Sequence, residues 1–352
     1  MIHMNPFSVC IIAKNEERTI ERCLKSLQPL DVEIVLVDTG STDRTKEIAE
    51  KYTTCIYDFQ WIDDFSAARN FSISKASNDW ILIMDCDEWV TEFDLAGIRS
   101  FMDQYPQTIG QVDHHNIMDE NDPNKTYIIA LERFFNRKHY EYERPVHEQI
   151  VSKDSTYNTQ EIPLVVWHDG YCKTLIDSEE KFKRNVSLLK RELKENPNDP
   201  YTLFQLGQSH FQRRDYEAAI SWYEKAMAQS LNYKSQAAQL VVYNWIDCLN
   251  ILQRSKEALA ILPHYDDLSE YADFPVRMGH VYANMGQYLQ AMSEYLKATS
   301  IPKCHAAGSN SYIPFYYMGK INAILGNPDM ARTMYEKCGS YKPALEALRE
   351  ME

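Results

Sequence analysis

Trp80-Ile81-Leu82-Ile83-Met84 is an apolar run of strand length that ends abruptly in Asp85-Cys86-Asp87-Glu88. A buried strand of this kind delivers two carboxylates to its exposed carboxyl end, where open α/β sheets bind ligands. Carboxylate oxygens are hard donors suited to Mg²⁺ or Mn²⁺, and such an ion holds a diphosphate. An Asp pair also caps helices and lines solvated loops, so the surrounding chain has to decide between the two.

The elements before this run alternate. Phe7 to Ala13 and Val32 to Val37 are short β-branched and apolar stretches. Between them Ile20, Cys23, Leu24 and Leu27 fall at i, i+3, i+4 and i+7, one face of a helix. Asp38-Thr39-Gly40-Ser41-Thr42-Asp43 supplies cap residues for a second helix, Cys55 to Tyr57 reads as a strand, and Phe65, Ala68 and Ala76 mark a third helix. Such alternation predicts a mostly parallel, doubly wound sheet. Dinucleotide folds and P-loops bring backbone close to phosphate through glycines in the first loop. Here that loop is Ala13-Lys14-Asn15-Glu16-Glu17 and the first glycine of the chain is Gly40. NAD, P-loop and nucleotidyltransferase readings therefore fall away, leaving a nucleotide site read by side chains.

Four ordered segments resemble the motifs of family 2 glycosyltransferases of the GT-A fold: Ile11-Ile12-Ala13-Lys14-Asn15-Glu16-Glu17, Val37-Asp38-Thr39-Gly40-Ser41-Thr42-Asp43, Phe65-Ser66-Ala67-Ala68-Arg69-Asn70 and Met84-Asp85-Cys86-Asp87-Glu88. The resemblance implies a UDP-sugar donor and inversion at the anomeric carbon. It implies donor contacts at Ala13, Asn15 and Glu16 by the ribose, Asp38 at the base, Arg69 near the diphosphate, and Asp85 and Asp87 serving donor sugar and metal. Each has a plainer alternative: Asp38 as a helix cap, Glu16 as support for a helix start, Arg69 as a surface arginine.

Beyond the Asp pair, Trp89 to Tyr105 is expected to begin as helix, with Thr91 as its cap. Thr126 to Asn136 and Glu141 to Val151 read as strands flanking a turn at Arg137-Lys138-His139. Leu131-Glu132-Arg133-Phe134-Phe135 followed by Pro145-Val146-His147-Glu148 resembles the acceptor half of the same family. Many relatives carry a glycine a few residues before that histidine, where this chain has Arg144-Pro145. Inverting transfer needs a base for the acceptor proton, and Glu148, with His147 second, is the candidate. The alternative is that both residues only orient the loop. His114 and His115 are adjacent on a strand and point to opposite faces, so at most one enters the site. His168, ahead of a Gly170-Tyr171 turn, resembles the metal-binding histidine of related transferases, and an imidazole favours Mn²⁺ somewhat over Mg²⁺.

From Asp177 to Asn196 a charged helix carries Phe182, Val186, Leu189 and Leu193 on one face, and Asn196-Pro197-Asn198-Asp199-Pro200 forms a hinge. The chain then repeats itself. Gly207, Ala219, Tyr223 and Ala226 recur as Gly279, Ala291, Tyr295 and Ala298, and again as Gly319, Ala331, Tyr335 and Cys338. This is the small-residue and aromatic pattern of tetratricopeptide repeats, and a degenerate repeat fits around Tyr243 to Leu262. Four helical hairpins exceed the roughly three a stable stack needs. The stack either presents a concave surface to a peptide or protein, or buttresses the catalytic domain or forms a homodimer.

At 352 residues two domains are expected. We assign residues 1–176 to a GT-A α/β domain, 177–200 to a linker helix and hinge, and 201–352 to an all-α tetratricopeptide-repeat domain. A formal charge of −14 argues against nucleic acid or an anionic membrane as main partner. Eight cysteines without C-x-x-C spacing read as free thiols in a reducing, cytoplasmic setting, and no apolar stretch approaches the roughly 20 residues that span a bilayer. The whole resembles bacterial transferases that glycosylate peptides or proteins, including S-glycosyltransferases, and equally transferases of cell-envelope polysaccharides. The expected function is metal-dependent transfer of a hexose from a UDP-sugar to a peptide, protein or glycan acceptor. The rival from another class is an inactive transferase serving as a repeat-based adaptor.

Overall fold

Side-chain alternation along the first strands builds the N-terminal sheet. The computed structural model describes residues 7–117, 126–154, 157–169 and 175–351. Strands β1 (Ser8–Ala13), β2 (Glu33–Asp38), β3 (Cys55–Asp58) and β4 (Trp80–Met84) alternate with helices α1 (Ile20–Leu27), α2 (Thr45–Ala49) and α3 (Phe65–Lys75). Val9, Ile11, Ala13, Leu82 and Met84 enter one core with Ile20, Cys23, Leu24 and Leu27 of α1. Their neighbours Cys10, Ile81 and Ile83 enter another with Ile73. Each fully buried aliphatic side chain contributes at most about 1.5–3 kcal/mol. A one-residue slip of the central strands would exchange these two sets of side chains between faces, so the register is strongly specified. The Gly170-Tyr171 turn expected after His168 lies outside the described residues.

The remaining strands are β5 (Glu88–Phe93), β6 (Thr108–Ile117), β7 (Thr126–Asn136) and β10 (Asn158–His168), with α4 (Leu95–Gln104) between β5 and β6. The sheet order is β3-β2-β1-β4-β7-β6-β10-β5. Pairs β1–β2, β1–β4, β2–β3 and β6–β10 are parallel and the other three antiparallel, which gives the mostly parallel sheet the alternation predicts. The helix expected from Trp89 is a correction. Residues 88–93 form β5 because alternate positions Glu88 and Val90 are buried and the backbone pairs antiparallel with β10. The helix begins only at Leu95, capped by Asp94 and not Thr91, with the Asp94 carboxylate accepting from Ala96 N–H.

A second correction concerns Glu141 to Val151, which is not one strand. It is a hairpin of β8 (Tyr140–Glu143) and β9 (Gln149–Ser152) in a sheet of its own. Arg144 at φ 79° and His147 at φ 52° leave the extended region and turn the chain. The left-handed Arg144 belongs to the Arg144-Pro145 stretch, where the family resemblance leads to the expectation of a glycine. A non-glycine residue held there stores strain on the order of 1–3 kcal/mol, which the surroundings offset. Asn70 does part of that holding: its Nδ2 donates to Tyr142 O at 2.8 Å and its Oδ1 accepts from Tyr142 N–H at 3.0 Å. Phe65 N–H donates to Pro145 O at 2.9 Å.

The chain forms two compact units, Met1–Leu188 and Leu189–Glu352, and the division falls inside α5 (Leu175–Glu195). The second unit is helical. Its hairpins are α6 (Pro200–Gln212) with α7 (Tyr216–Met227), α10 (Asp273–Asn284) with α11 (Tyr288–Ser300), and α12 (Tyr312–Ile324) with α13 (Pro328–Glu336). Helix α14 (Lys342–Glu350) follows the last hairpin. The repeated glycines are where paired helices touch. A Cβ at Gly319 would stand 2.5 Å from the Tyr335 ring, and Gly207 and Gly279 face Tyr223 and Tyr295 in the same way. In the degenerate repeat, α8 (Gln236–Ile251) places Tyr243 midway in sequence between Gly207 and Gly279. Its partner segment Ser255–His264 is a 3-10 helix, ended by the short α9 (Tyr265–Leu268). A tyrosine cannot admit the close helix that glycine admits.

Gly279→Ala is expected to destabilise the chain by about 1–3 kcal/mol, because the Tyr295 ring is fully buried and its hydroxyl is tied to His280 Nδ1 at 2.6 Å. Thermal melting checks this, and a midpoint equal to the parent's would refute the close-contact account.

Candidate active site

The loops after β1 and β2 are locked together by their own side chains. Asn15 N–H donates to Ser41 Oγ at 2.9 Å, Glu16 N–H to Thr45 Oγ1 at 2.7 Å, and Glu17 N–H to Asp43 Oδ2 at 3.1 Å. Asn15, at φ 57°, returns a bond by accepting from Thr42 N–H at 2.8 Å. The Glu16 carboxylate accepts from Thr19 Oγ1 at 2.8 Å at the start of α1, so Glu16 does support a helix start. Asp38 ends β2, with Oδ2 accepting from Gly40 and Ser41 N–H at 3.1 and 2.9 Å. Its Oδ1 is buried with no hydrogen-bond partner. A buried acceptor left unpaired costs about 1–3 kcal/mol, a cost removed by a ligand N–H.

The four motifs and the acceptor segment meet at the carboxyl edge of β4. A turn over residues 85–88, closed by Glu88 N–H to Asp85 O at 3.1 Å, aims Asp85 and Asp87 outward and sends Cys86 into the core. Arg69 of α3 donates through Nη2 to Asp85 Oδ1 at 2.8 Å and through Nε to Glu148 Oε1 at 2.7 Å. Arg133 of β7 donates to Asp85 Oδ2 and to Glu88 Oε1, both at 3.0 Å. Arg69 is only 6% exposed and is no surface arginine. Burial opposes its charge, but Asp85 and Glu148 outweigh burial and push its pKa well up. Burial would likewise raise the Asp85 carboxyl, yet Arg69 and Arg133 hold it well below the carboxylate range. Burial lowers the pKa of His147 and so favours its neutral form, with Glu148 opposing.

His168 Nε2 stands 3.5 Å from Asp87 Oδ2. His168 Nδ1 is 2.8 Å from Asn116 Oδ1. The centre therefore holds four carboxylates, Asp85, Asp87, Glu88 and Glu148, against two guanidiniums. A divalent cation fits this donor set of one carboxylate and one imidazole. No group of three or more His, Cys, Asp or Glu able to hold a metal occurs among the described residues. The remaining ligands would be phosphate and water, as is usual for Mg²⁺ at a substrate phosphate site.

The sequence alone assigns no role to Arg133, Glu88 or Asn116. The signal for Arg133 lay in strand alternation, since buried Phe134 beside it points the other way. His114 is the one of the pair that enters the site, reaching Glu88 Oε1 with Nε2 at 2.9 Å, whereas His115 packs against Trp167 with ring centroids 5.0 Å apart. The thiols of Cys23 and Cys86 are buried, which pushes their pKa values well up and removes them as nucleophiles.

Residues 8–158 match the model of glycosyl transferase family 2, and this unit of the chain is a family 2 glycosyltransferase domain. Tetratricopeptide-repeat models match 200–233 and 276–303, so the chain joins that domain to tetratricopeptide repeats. A TPR repeat-containing protein of Synechococcus elongatus is 29% identical over 301 residues, covering 81% of this chain and 72% of that protein. The SPbeta prophage-derived glycosyltransferase SunS of Bacillus subtilis is 28% identical over 284 residues, covering 75% of this chain and 61% of its own length. An uncharacterized glycosyltransferase of Rickettsia typhi is 34% identical over 89 residues, 25% of this chain and 30% of that protein. Among solved structures, MamA aligns at 23% identity and TM-score 0.39 over 49% of this chain and 92% of its own. No helix among the described residues is long and apolar enough to cross a membrane.

Because the folded-state pKa of Asp85 is depressed, its stabilisation is present above the unfolded value of about 3.9 and is lost as pH falls below it. Asp85→Asn is expected to lose about 1–3 kcal/mol at pH 7, less than a fully buried pair because this side chain is 33% exposed. Its further loss below about pH 4 should be shallower than the parent's. Thermal melts across roughly pH 3–7, the range that spans the transition, check both; parallel curves below about pH 4 would remove Asp85 from the acid response.

Proposed function

We propose that this chain is an inverting, metal-dependent hexosyltransferase that takes its sugar from a UDP-sugar and delivers it to a side chain of a peptide or protein. The observation that carries the reading is the Asp87–His168 pair at 3.5 Å, set in a centre with more carboxylate than guanidinium charge. Asp87 and His168 would hold Mn²⁺ or Mg²⁺. Bound there, the ion supplies Lewis-acid stabilisation of the leaving diphosphate, worth several kcal/mol.

The chain's own residues do the rest. Asp38 Oδ1 accepts from the N–H of the base, while the locked loop of Ala13, Asn15 and Glu16 backs the ribose. Arg69, shared between Asp85 and Glu148, stands where a diphosphate would compete for its donors. With both Asp85 oxygens bonded to arginines, that residue contributes chiefly by orienting Arg69 and Arg133. Glu148 takes the proton of the acceptor hydroxyl or thiol as the acceptor atom bonds to the anomeric carbon. The bond from that carbon to the phosphate oxygen breaks, and its electron pair leaves with UDP. A tetratricopeptide stack most often offers a concave surface to peptide or protein, which supports an acceptor of that class.

Two measurements test the reading. Thermal melting with UDP and Mn²⁺ at about 100-fold excess over the dissociation constant should add roughly 2.7 kcal/mol, and the gain should vanish in Asp87→Ala. Absence of any Mn²⁺-dependent gain with UDP in the parent would sink the donor site. Glu148→Gln should lower kcat by about 10²-fold or more with the donor KM unchanged. A parallel loss of donor binding would reassign Glu148 to holding Arg69.

A further inference from the structure

We infer that Glu88, His114 and Asn116 form a polarised hydrogen-bond relay that holds His168 with its proton on Nδ1 and its Nε2 lone pair toward Asp87. The metal half of this inference rests on the cation site proposed above; the tautomer does not.

Each link follows from the one before. Glu88 is 2% exposed, and its oxygens accept from Asp85 N–H at 2.8 Å and Arg133 Nη2 at 3.0 Å. Held as an acceptor on both oxygens, it requires a donor at His114 Nε2, 2.9 Å away. A neutral His114 protonated on Nε2 has an acceptor at Nδ1, where Asn116 Nδ2 stands at 3.1 Å. With its NH₂ turned to His114, Asn116 presents Oδ1 to His168 Nδ1 at 2.8 Å. That oxygen can only accept, so the proton of His168 sits on Nδ1. In the neutral imidazole Nε2 is then an acceptor facing a carboxylate oxygen 3.5 Å away, an arrangement stabilised by a cation between them.

Strand register makes the relay. His168 of β10 lies opposite Glu88 of β5 on one side and Asn116 of β6 on the other, and His114 is two residues before Asn116 on the same face. His114 and Asn116 are 3% and 2% exposed, so water does not compete for these bonds. The three residues act through His168 and are positioning residues; none touches the transferred sugar.

The test uses the full chain without added metal, labelled with ¹⁵N-histidine. Long-range ¹H–¹⁵N spectra report the tautomer of His168, whose signals are identified by their loss in His168→Ala. The expected result is an Nδ1–H tautomer in the parent, lost in Asn116→Ala and retained in Asn116→Asp, whose carboxylate still accepts from Nδ1. Mn²⁺ affinity, followed by the electron-spin signal of the free ion, should fall about 10–100-fold in Asn116→Ala and recover in Asn116→Asp. A parent His168 with its proton on Nε2 would overturn the relay, as would an Asn116→Ala protein with unchanged tautomer and affinity. A parent with the Nδ1–H tautomer that takes up no Mn²⁺ would support the relay while overturning the cation site, so the two failures are distinct. The tautomer in the parent is read without any variant, so a misfolded Asn116→Ala does not leave the question open.

Discussion

Asp85 is gripped by Arg69 and Arg133, and the catalytic half is arranged around that grip. Each close ion pair is worth on the order of 4 kcal/mol of Coulomb attraction at an effective dielectric near 20, while desolvating each ion costs several kcal/mol. No single pair here is a clear gain. The cluster holds as a set, because each guanidinium serves two carboxylates: Arg69 takes Asp85 and Glu148, and Arg133 takes Asp85 and Glu88. These groups come from α3, the turn after β4, β5, β7 and the loop before β9. Their mutual neutralisation ties together segments far apart in the chain.

The neutralisation is uneven, and that unevenness points to function. Asp85, Glu88 and Glu148 share two arginines, and the His168 imidazole stands 3.5 Å from Asp87. A centre in which carboxylates outnumber guanidiniums favours a ligand that brings positive charge. At the other end of the same edge, Asp38 spends one oxygen on its own loop and keeps the other buried and unbonded. Both features agree with the proposed UDP donor and cation.

The helical half obeys a simpler constraint. Where glycine meets tyrosine the paired helices close, as at Gly207–Tyr223, Gly279–Tyr295 and Gly319–Tyr335. Where Tyr243 takes the glycine's place, it stacks on Phe274 at 6.5 Å and lies under the Arg277 guanidinium at 4.5 Å. The segment that would have been its partner helix tightens into 3-10 geometry instead.

Local pattern was enough for much of this. Strands β1 to β4, the buried face of α1 and the repeat helices were legible because burial periodicity and turn chemistry act over a few residues. The edge of the sheet was not. Residues 88–93 carry helix-compatible side chains and became β5 because β10, some seventy positions onward, supplies hydrogen bonds. The fold of 141–151 turned on two left-handed residues, Arg144 and His147, that the strand-like pattern of the segment does not mark. The sequence by itself determined which residues carry charge and which strand ends present them. Only the tertiary structure decided that Arg69 binds Asp85 and Glu148, and that Glu88, His114 and Asn116 line up behind His168. Those pairings depend on register between distant strands and on shared desolvation, quantities that exist only once the sheet has closed.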